Sequence, residues 1–318
     1  MSPFSKPLEM FDIPILFLVY NRPQHTKKVL EVLEVLQPRK LYVAADGPKN
    51  TNQDIELCNE TRSVIKSVNW KCEISYKYCE TNKSCKIAVS EAISWFFEHE
   101  EMGIILEDDC LPDLSFFTFC KELLLKYKDN ENIMHINGSN HLQGRNFNFK
   151  NESYYFSKLP HPWGWATWRR AWRKYDIGMN NFESFMIKNI ISSFIRLPIH
   201  QQKWIDILKR TKNNQIDTWD YQWFYSIWSQ RGLVITPVKN LVTNIGFGNL
   251  ATNTTYTFTK MGNRKRYSIN SIVHPGEIMV NHEADNYATM IKMTDGTGAL
   301  FQRVIQKIKL IIKNLSRK

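Results

Sequence analysis

An alternation most constrains what this chain can fold into. Short apolar runs rich in β-branched and aromatic residues take turns with segments whose apolar residues recur at helical spacing. Residues 13–20 (IPILFLVY) form such a run, ended by Asn21-Arg22-Pro23, which predicts a buried strand followed by a turn. Over 26–36, Val29, Leu30, Leu33 and Leu36 share one helical face, and Pro38 closes the helix. The pattern then repeats: a strand over 40–45 stopped by Asp46-Gly47-Pro48, a helix over 52–68, a strand over 73–78 and an amphipathic helix over 87–99. A fourth strand over 103–106 (GIIL) runs directly into Glu107-Asp108-Asp109. This order predicts βαβ units and a mainly parallel, Rossmann-like α/β sheet flanked by helices. Ligands of such sheets bind beyond the carboxyl ends of the strands. Three of those ends are polar here, at Asn21-Arg22, Asp46-Gly47 and Glu107-Asp108-Asp109. Their positions alone predict one shared site.

The rhythm changes after a helix over 116–127 and a short strand over 133–136. Residues 138–160 read as loop, and tryptophans crowd between 161 and 235. The chain therefore divides into an α/β half over 1–150, a Trp-rich half over 151–285 with a loop near 244–255, and a tail over 286–318. Within the tail, Phe301, Val304, Ile305, Ile308, Ile311, Ile312 and Leu315 mark an apolar face, accompanied over 299–318 by six basic residues and no acidic one. Such a helix either lies on an anionic membrane surface or docks on the body of the protein.

Composition narrows the class. The 318 residues are 43% hydrophobic, enough for a sizeable core. A formal net charge of +11 favours a polyanionic partner: a nucleotide diphosphate, an anionic membrane or a nucleic acid. The six cysteines form no CxxC pair and no zinc-spaced cluster with histidine. They read as reduced thiols; a bridge between Cys79 and Cys85 is conceivable, but nothing in the sequence requires it. No signal-peptide pattern opens the sequence and no apolar stretch reaches roughly 18 residues, so a cytoplasmic location is expected.

Several segments carry chemistry. Three adjacent carboxylates at a strand end repel one another, and a hard divalent cation bridging to phosphate oxygens would relieve that. The other role for the triplet is a solvated turn capping a helix over 111–127. Asp46-Gly47 is either a ribose or base contact or a plain turn. Asn82-Lys83-Ser84-Cys85-Lys86 precedes a helix, so its amides, with Lys83 and Lys86, either face phosphates or simply cap the helix. In the segment 161–168 (HPWGWATW), Trp163, Gly164 and Trp165 offer aromatic faces and close backbone approach to a sugar, against the alternative of core packing. In 218–223 (TWDYQW), Asp220 is either an acid among aromatics serving as general base for a hydroxyl or a helix cap beside a Trp-rich core, with Asp217 its competitor for either role.

Taken together, PILFLVYNRP, the ADG turn, IILEDDC, HPWGWATWRRAW, TWDYQW and TNIGFGNLATNT resemble bacterial nucleotide-diphospho-sugar transferases of the GT-A fold. More distantly they are similar to N-acetylglucosaminyltransferase I. The resemblance runs from Pro14 to about Thr255. It implies a sugar transfer from a UDP-type nucleotide-sugar donor to a glycan or lipid-linked acceptor in surface polysaccharide synthesis, assisted by Mn2+ or Mg2+. It implies Asp109 as metal ligand and Asp108 at the ribose or metal shell. Asn21, Arg22, Asp46 and Lys86 would lie about the nucleotide, and Trp163-Gly164-Trp165 beside the donor sugar. Asp220 would be the base of an inverting reaction, and 244–255 a lid. Tyr221 stands where the eukaryotic enzyme has a second acid, and no counterpart of the eukaryotic N-terminal membrane anchor is expected.

A sugar nucleotidyltransferase is the first competing reading, but it would need a Gly-rich basic loop where this chain has Asn21-Arg22-Pro23-Gln24. A non-catalytic carbohydrate- or nucleic-acid-binding protein is the second. It leaves three strand-end acids unexplained, since these repel phosphate in the absence of a metal, so no nucleic-acid partner is expected.

Overall fold

A computed structural model describes residues 10–247 and 262–294. The first half alternates as expected: β1 (Ile15–Val19), α1 (Pro23–Leu36), β2 (Lys40–Ala45), α2 (Asn52–Ile65), β3 (Glu73–Tyr78), α3 (Ser84–His99) and β4 (Met102–Glu107). Then follow β5 (Cys110–Pro112), α4 (Leu114–Lys126), β6 (Ile133–Asn137), β7 (Tyr154–Ser157), β8 (Trp165–Trp168), α5 (Arg169–Trp172) and α6 (Phe182–Ile187). A 3-10 turn (Ile190–Ser193) leads to α7 (Pro198–Lys212), α8 (Asp220–Ser229), β9 (Leu233–Pro237), β10 (Val242–Asn244) and α9 (His282–Thr294).

Eight strands form one sheet in the order β3-β2-β1-β4-β8-β6-β9-β7. The pairs β3/β2, β2/β1, β1/β4 and β6/β9 are parallel. Strand β8 runs antiparallel between β4 and β6, and β7 runs antiparallel at the edge beside β9. The sequence halves divided near residue 150 therefore share a single sheet. β8 comes from the Trp-rich half, yet it pairs directly with β4 of the first. Two strands, β7 and β8, lie where the sequence suggested loop and aromatic core.

Why β1 is continuously apolar is visible in the packing. Leu16 and Leu18 enter one core, while Ile15, Phe17 and Val19 enter the other, on the opposite face. Successive strand residues point to opposite faces, and both faces are covered. The first of these cores holds most of the tryptophans. Trp165 stacks on Trp219 with centroids 5.5 Å apart, and Trp172 stacks on Tyr175 at 4.3 Å. Helix α8 supplies Trp223 and Trp228, both buried.

A second, two-stranded sheet pairs β5 with β10, antiparallel, with Asn244 opposite Cys110. The acid triplet thus does not cap a helix. Asp113 performs that task at α4, its carboxylate accepting from Ser115 N at 2.9 Å. All six cysteines are free, so Cys79 and Cys85 are not bridged. Of the expected loop over 244–255, the part beyond Phe247 lies outside the described residues, as does the amphipathic segment 299–318. Among the described residues no helix is long and apolar enough to cross a membrane.

Candidate functional site

A cavity of about 370 Å³ opens at the carboxyl ends of β1, β2 and β4, within the ordinary range of small-molecule sites. Its walls include Tyr20 and Arg22 after β1, Asp46 after β2, and Glu107, Asp108 and Asp109 at the end of β4. The three polar strand ends meet because their strands are adjacent and parallel, so their carboxyl ends lie along one edge. The apolar side includes small residues: Ala44 on β2 lies on the sheet face that α3 covers, and Ala88 and Ala92 of α3 line the cavity with it. Small side chains leave a slot between strand and helix that a flat ring can enter.

The acid triplet is held tightly. Arg22 Nη1 donates to Asp109 Oδ2 at 2.7 Å and lies 3.6 Å from Asp108 Oδ1. Tyr20 N donates to Asp108 Oδ2 at 3.3 Å. Strand β10 brings Asn244, whose Nδ2 donates to Asp109 Oδ1 at 3.3 Å, while Ile245 N donates to Asp109 O at 2.8 Å. Gly246 is required there: a Cβ would fall on Asp109 Oδ2. Burial pushes the Asp108 carboxyl up to about 7, with the charge of Asp109 adding and Arg22 opposing. Burial also drives Glu107 well above the carboxylate range, helped by Asp109, Asp108 and Asp220. When ionised, the three carboxylates outnumber the one guanidinium that faces them.

That shortage of positive charge, on an all-oxygen set, fits a hard divalent cation. Among the described residues no group of three or more His, Cys, Asp or Glu side chains could hold a metal ion by itself. The arrangement suits an ion held by one or two carboxylates and completed by phosphate oxygens, the usual habit of Mg2+ in phosphate sites.

Asp46 faces the cavity and accepts from Gly47 N at 2.8 Å, Lys83 N at 2.9 Å and Asn82 Nδ2 at 3.0 Å. Burial outweighs these bonds and raises its carboxyl. Gly47 is dictated by sterics, since a Cβ would collide with the Thr81 backbone. Asn21 does not line the cavity. Its Nδ2 donates to Asp54 Oδ1 at 2.6 Å. Asp54, a residue the sequence reading passed over, also accepts from Tyr20 Oη at 2.6 Å and Lys49 N at 2.6 Å. Burial alone would raise its carboxyl, but the bonds from Tyr20, Lys49 and Asn21 pull it below the ordinary value. Asp54 thus braces the loop after β1 against the loop after β2. Its signal in the sequence was a charged residue on the third position of a helix, where a plain first-turn acid is the default assumption.

Other expectations are relocated. Trp163 lines the cavity, edge-on to Phe247 at 5.4 Å. Trp165 does not: it is fully buried, stacked between His135 at 4.7 Å and Trp219. Residues two apart on one strand would share a face, but β8 begins only at Trp165, and the left-handed turn at Gly164 before it sends Trp163 to the opposite core. Gly164 has φ +63° and lies against Val242, with its carbonyl accepting from Gly138 N at 2.8 Å. It turns the chain into β8 and does not border the cavity. Lys86 also lies off the cavity, its Nζ donating to Asn214 Oδ1 at 2.8 Å. The amides at the start of α3 face Asp217: Lys86 N donates to its Oδ1 at 3.1 Å and Cys85 N to its Oδ2 at 3.3 Å. Asp217 lines the cavity, whereas Asp220 stands behind it at the start of α8, accepting from Thr218 Oγ1. Asp220 is near enough for its charge to act on Glu107 and Cys85 of the cavity wall. Lys49 and Lys77 also face the cavity, two cations the motifs did not single out.

No protein-family model matches the chain, and no curated protein matches its sequence. Among solved structures the chain is similar to the mannosyltransferase PcManGT from Pyrobaculum calidifontis, in complex with GDP-Man and Mn2+. That match has 12% identity and TM-score 0.34, over 51% of this chain and 48% of the other. It is also similar to apo mouse xyloside xylosyltransferase 1, at 13% identity and TM-score 0.33, over 69% of this chain and 82% of the other. A third likeness is to HddC from Yersinia pseudotuberculosis, at 10% identity and TM-score 0.30, over 51% of this chain and 78% of that one. The match spans about half the length of the first of these structures.

Proposed function

We propose that this chain is a metal-dependent glycosyltransferase of the GT-A type, moving a sugar from a nucleotide-diphosphate donor, UDP-linked, to a glycan or lipid-linked acceptor. One observation carries the reading. A strand-end acid triplet, short of positive charge, shares a cavity with a cationic Arg22 and a slot of small apolar residues. A nucleotide diphosphate has matching parts: a flat base for the slot, a ribose for Asp46 and a diphosphate for the charged end.

Asp109, supported by Asn244, and Asp108 would hold Mn2+ or Mg2+. When bound, such an ion supplies Lewis-acid stabilisation to the departing diphosphate. Arg22 has one guanidinium shared between two carboxylates. It can hand Asp109 to the ion and turn donors toward a phosphate. Asp46 offers its remaining lone pairs to the ribose hydroxyls. Trp163 presents a ring to the donor sugar, as aromatic faces do to the apolar faces of pyranoses. Asp220 takes the acceptor hydroxyl proton from the side opposite the leaving group, which inverts the anomeric centre. The resemblance would make residues 244–255 a lid that excludes water; beyond Phe247 that segment lies outside the described residues.

Calorimetry of UDP binding with and without Mn2+ tests the donor site. Binding should require the metal and disappear in Asp109→Ala; binding that is indifferent to both would overturn the metal assignment. Asp220→Asn should keep UDP binding and lose transfer. Near wild-type transfer would move the base elsewhere, with Asp217 the first candidate.

A further inference from the structure

Away from the cavity wall, partnerless buried polar atoms gather at one place. Among the described residues, Ser139 Oγ, His141 Nδ1 and Nε2, and His161 Nδ1 make no hydrogen bond. These residues are only 2%, 3% and 3% exposed. The two imidazoles lie against each other with centroids 3.8 Å apart and planes at 34°. The fold forces the meeting. Ser139 and His141 follow β6, His161 precedes β8, and His161 N donates to Asn137 Oδ1 at 2.6 Å.

Buried polar groups are ordinarily paired, so a concentration of orphans asks for a missing partner. The neighbouring core histidine shows the contrast. His135 accepts from Trp223 Nε1 on Nδ1 at 3.0 Å and reaches His161 O through Nε2 at 3.3 Å. His141 and His161 have no such arrangement on the atoms named. Burial holds both imidazoles neutral, and the charges of Lys292 and Arg264 reinforce this. Arg264 is anchored by Nη1 on Asn140 O at 2.8 Å. Lys292 of α9 lies 4.4 Å from the Phe224 ring centre, and Asp220 is the charge that opposes its desolvation. The ring of Trp163, on the cavity wall, is 5.6 Å from that of His141.

We propose that Ser139, His141 and His161, with Arg264 and Lys292, form a binding site for an anionic group, a carboxylate or a phosphate, on the acceptor. The oxygens of an anion only accept, and a hydroxyl, imidazole N–H groups, a guanidinium and an ammonium all donate. A bound metal cation would instead face two positive charges. A negative charge arriving here offsets Lys292 and Arg264, whose charges disfavour protonation of the two imidazoles. Trp163 lines the cavity and its ring lies 5.6 Å from that of His141, so the site adjoins the cavity. That acceptor role rests on the transferase reading; the anion site itself does not.

Imidazole-resolved nitrogen–proton NMR on the full chain tests it, with inorganic phosphate and glucuronate as separate probes at matched ionic strength. His141 and His161 should shift saturably, at concentrations at least tenfold below those that move the exposed His99 and His282. Arg264→Gln and Lys292→Met should each weaken the effect tenfold or more while His135 signals stay in place, which reports an intact fold. Response to phosphate alone assigns a phosphoryl acceptor, and response to glucuronate alone a uronate-type acceptor. No shift with either probe, shifts equal to those of His99 and His282, or insensitivity to Arg264→Gln overturns the proposal. UDP calorimetry in the same samples separates the two readings: failed UDP binding with a retained anion response refutes only the transferase.

Discussion

Replacing Asp108 by asparagine should make the metal-free protein more stable, and more so as pH rises. Its carboxyl is pushed from 3.8 to about 7, first by burial and then by Asp109. A carboxyl raised in the folded state keeps a proton that the unfolded chain has already released. Stability is therefore fully present below about pH 4 and lost as pH climbs through 7. The difference, 7 − 3.8 = 3.2 units, corresponds to a ceiling of about 4 kcal/mol at roughly 1.36 kcal/mol per unit. Asp108→Asn keeps an oxygen for the Tyr20 amide and removes the charge, and Arg22 keeps its shorter pair with Asp109. Loss of the weaker Arg22 contact at 3.6 Å trims the gain, leaving about 1–3 kcal/mol above pH 8 and nearly none at pH 4. Urea unfolding of both proteins between pH 4 and 8.5, with EDTA and then with Mn2+, measures this. In Mn2+ the order should reverse, because only the carboxylate gains a ligand's stabilisation. A stability difference that does not change with pH, or a variant less stable than wild type at pH 8 in EDTA, would refute the account of a charge-strained triplet.

Three further outcomes follow from the geometry. Gly246→Ala should abolish metal-dependent UDP binding with little change in melting temperature, since the added methyl meets Asp109 Oδ2 at the cavity rim and not in a core; unaltered UDP titrations would contradict the assigned position. Trp165→Ala should cost about 3–5 kcal/mol in chemical denaturation, whereas Trp163→Ala should cost under about 1 kcal/mol and lower donor affinity. Equal destabilisation by the two would undo the distinction between core and cavity wall. Asp54→Ala, which strands Tyr20 Oη, Asn21 Nδ2 and the Lys49 amide, should destabilise by about 1–3 kcal/mol and weaken UDP binding. Calorimetry showing full affinity would mean the two loops hold their shape unaided.

The alternation of apolar runs and helical periods was enough to place β1 to β4 and the helices between them within a few residues. The reason is local: β1, β2 and β4 are buried on both faces, so nearly every residue in them is apolar, the exposed edge strand β3 still alternates Ile74, Tyr76 and Tyr78 with polar residues, and each helix carries its stripe in its own sequence. The adjacency of Arg22, Asp46 and the acid triplet was equally legible, because parallel βαβ units put those strand ends along one edge.

Elements outside that rhythm were not legible. Strands β5 and β10 have three residues each, too few for a period, and they exist because each supplies the other's hydrogen bonds from over a hundred residues away. β8 read as an aromatic motif, and its antiparallel insertion between β4 and β6 is a pairing choice that no local pattern encodes. The same limit separated Trp163 from Trp165. Both belong to one conspicuous segment, and only the left-handed turn at Gly164, set by the fold around it, sends one to the cavity and the other into the core. Lys86 and Asp217 illustrate it again: the helix start offers amides to an anion, and the tertiary fold supplies Asp217, 131 residues distant from Lys86. By itself the sequence determined the α/β architecture, the edge where chemistry gathers and the acids that gather there, because burial and periodicity are properties of neighbouring residues. Only the tertiary structure decided which side chains face the cavity and which brace it, and it alone brought His141 against His161, because those outcomes depend on partners that chain order leaves far apart.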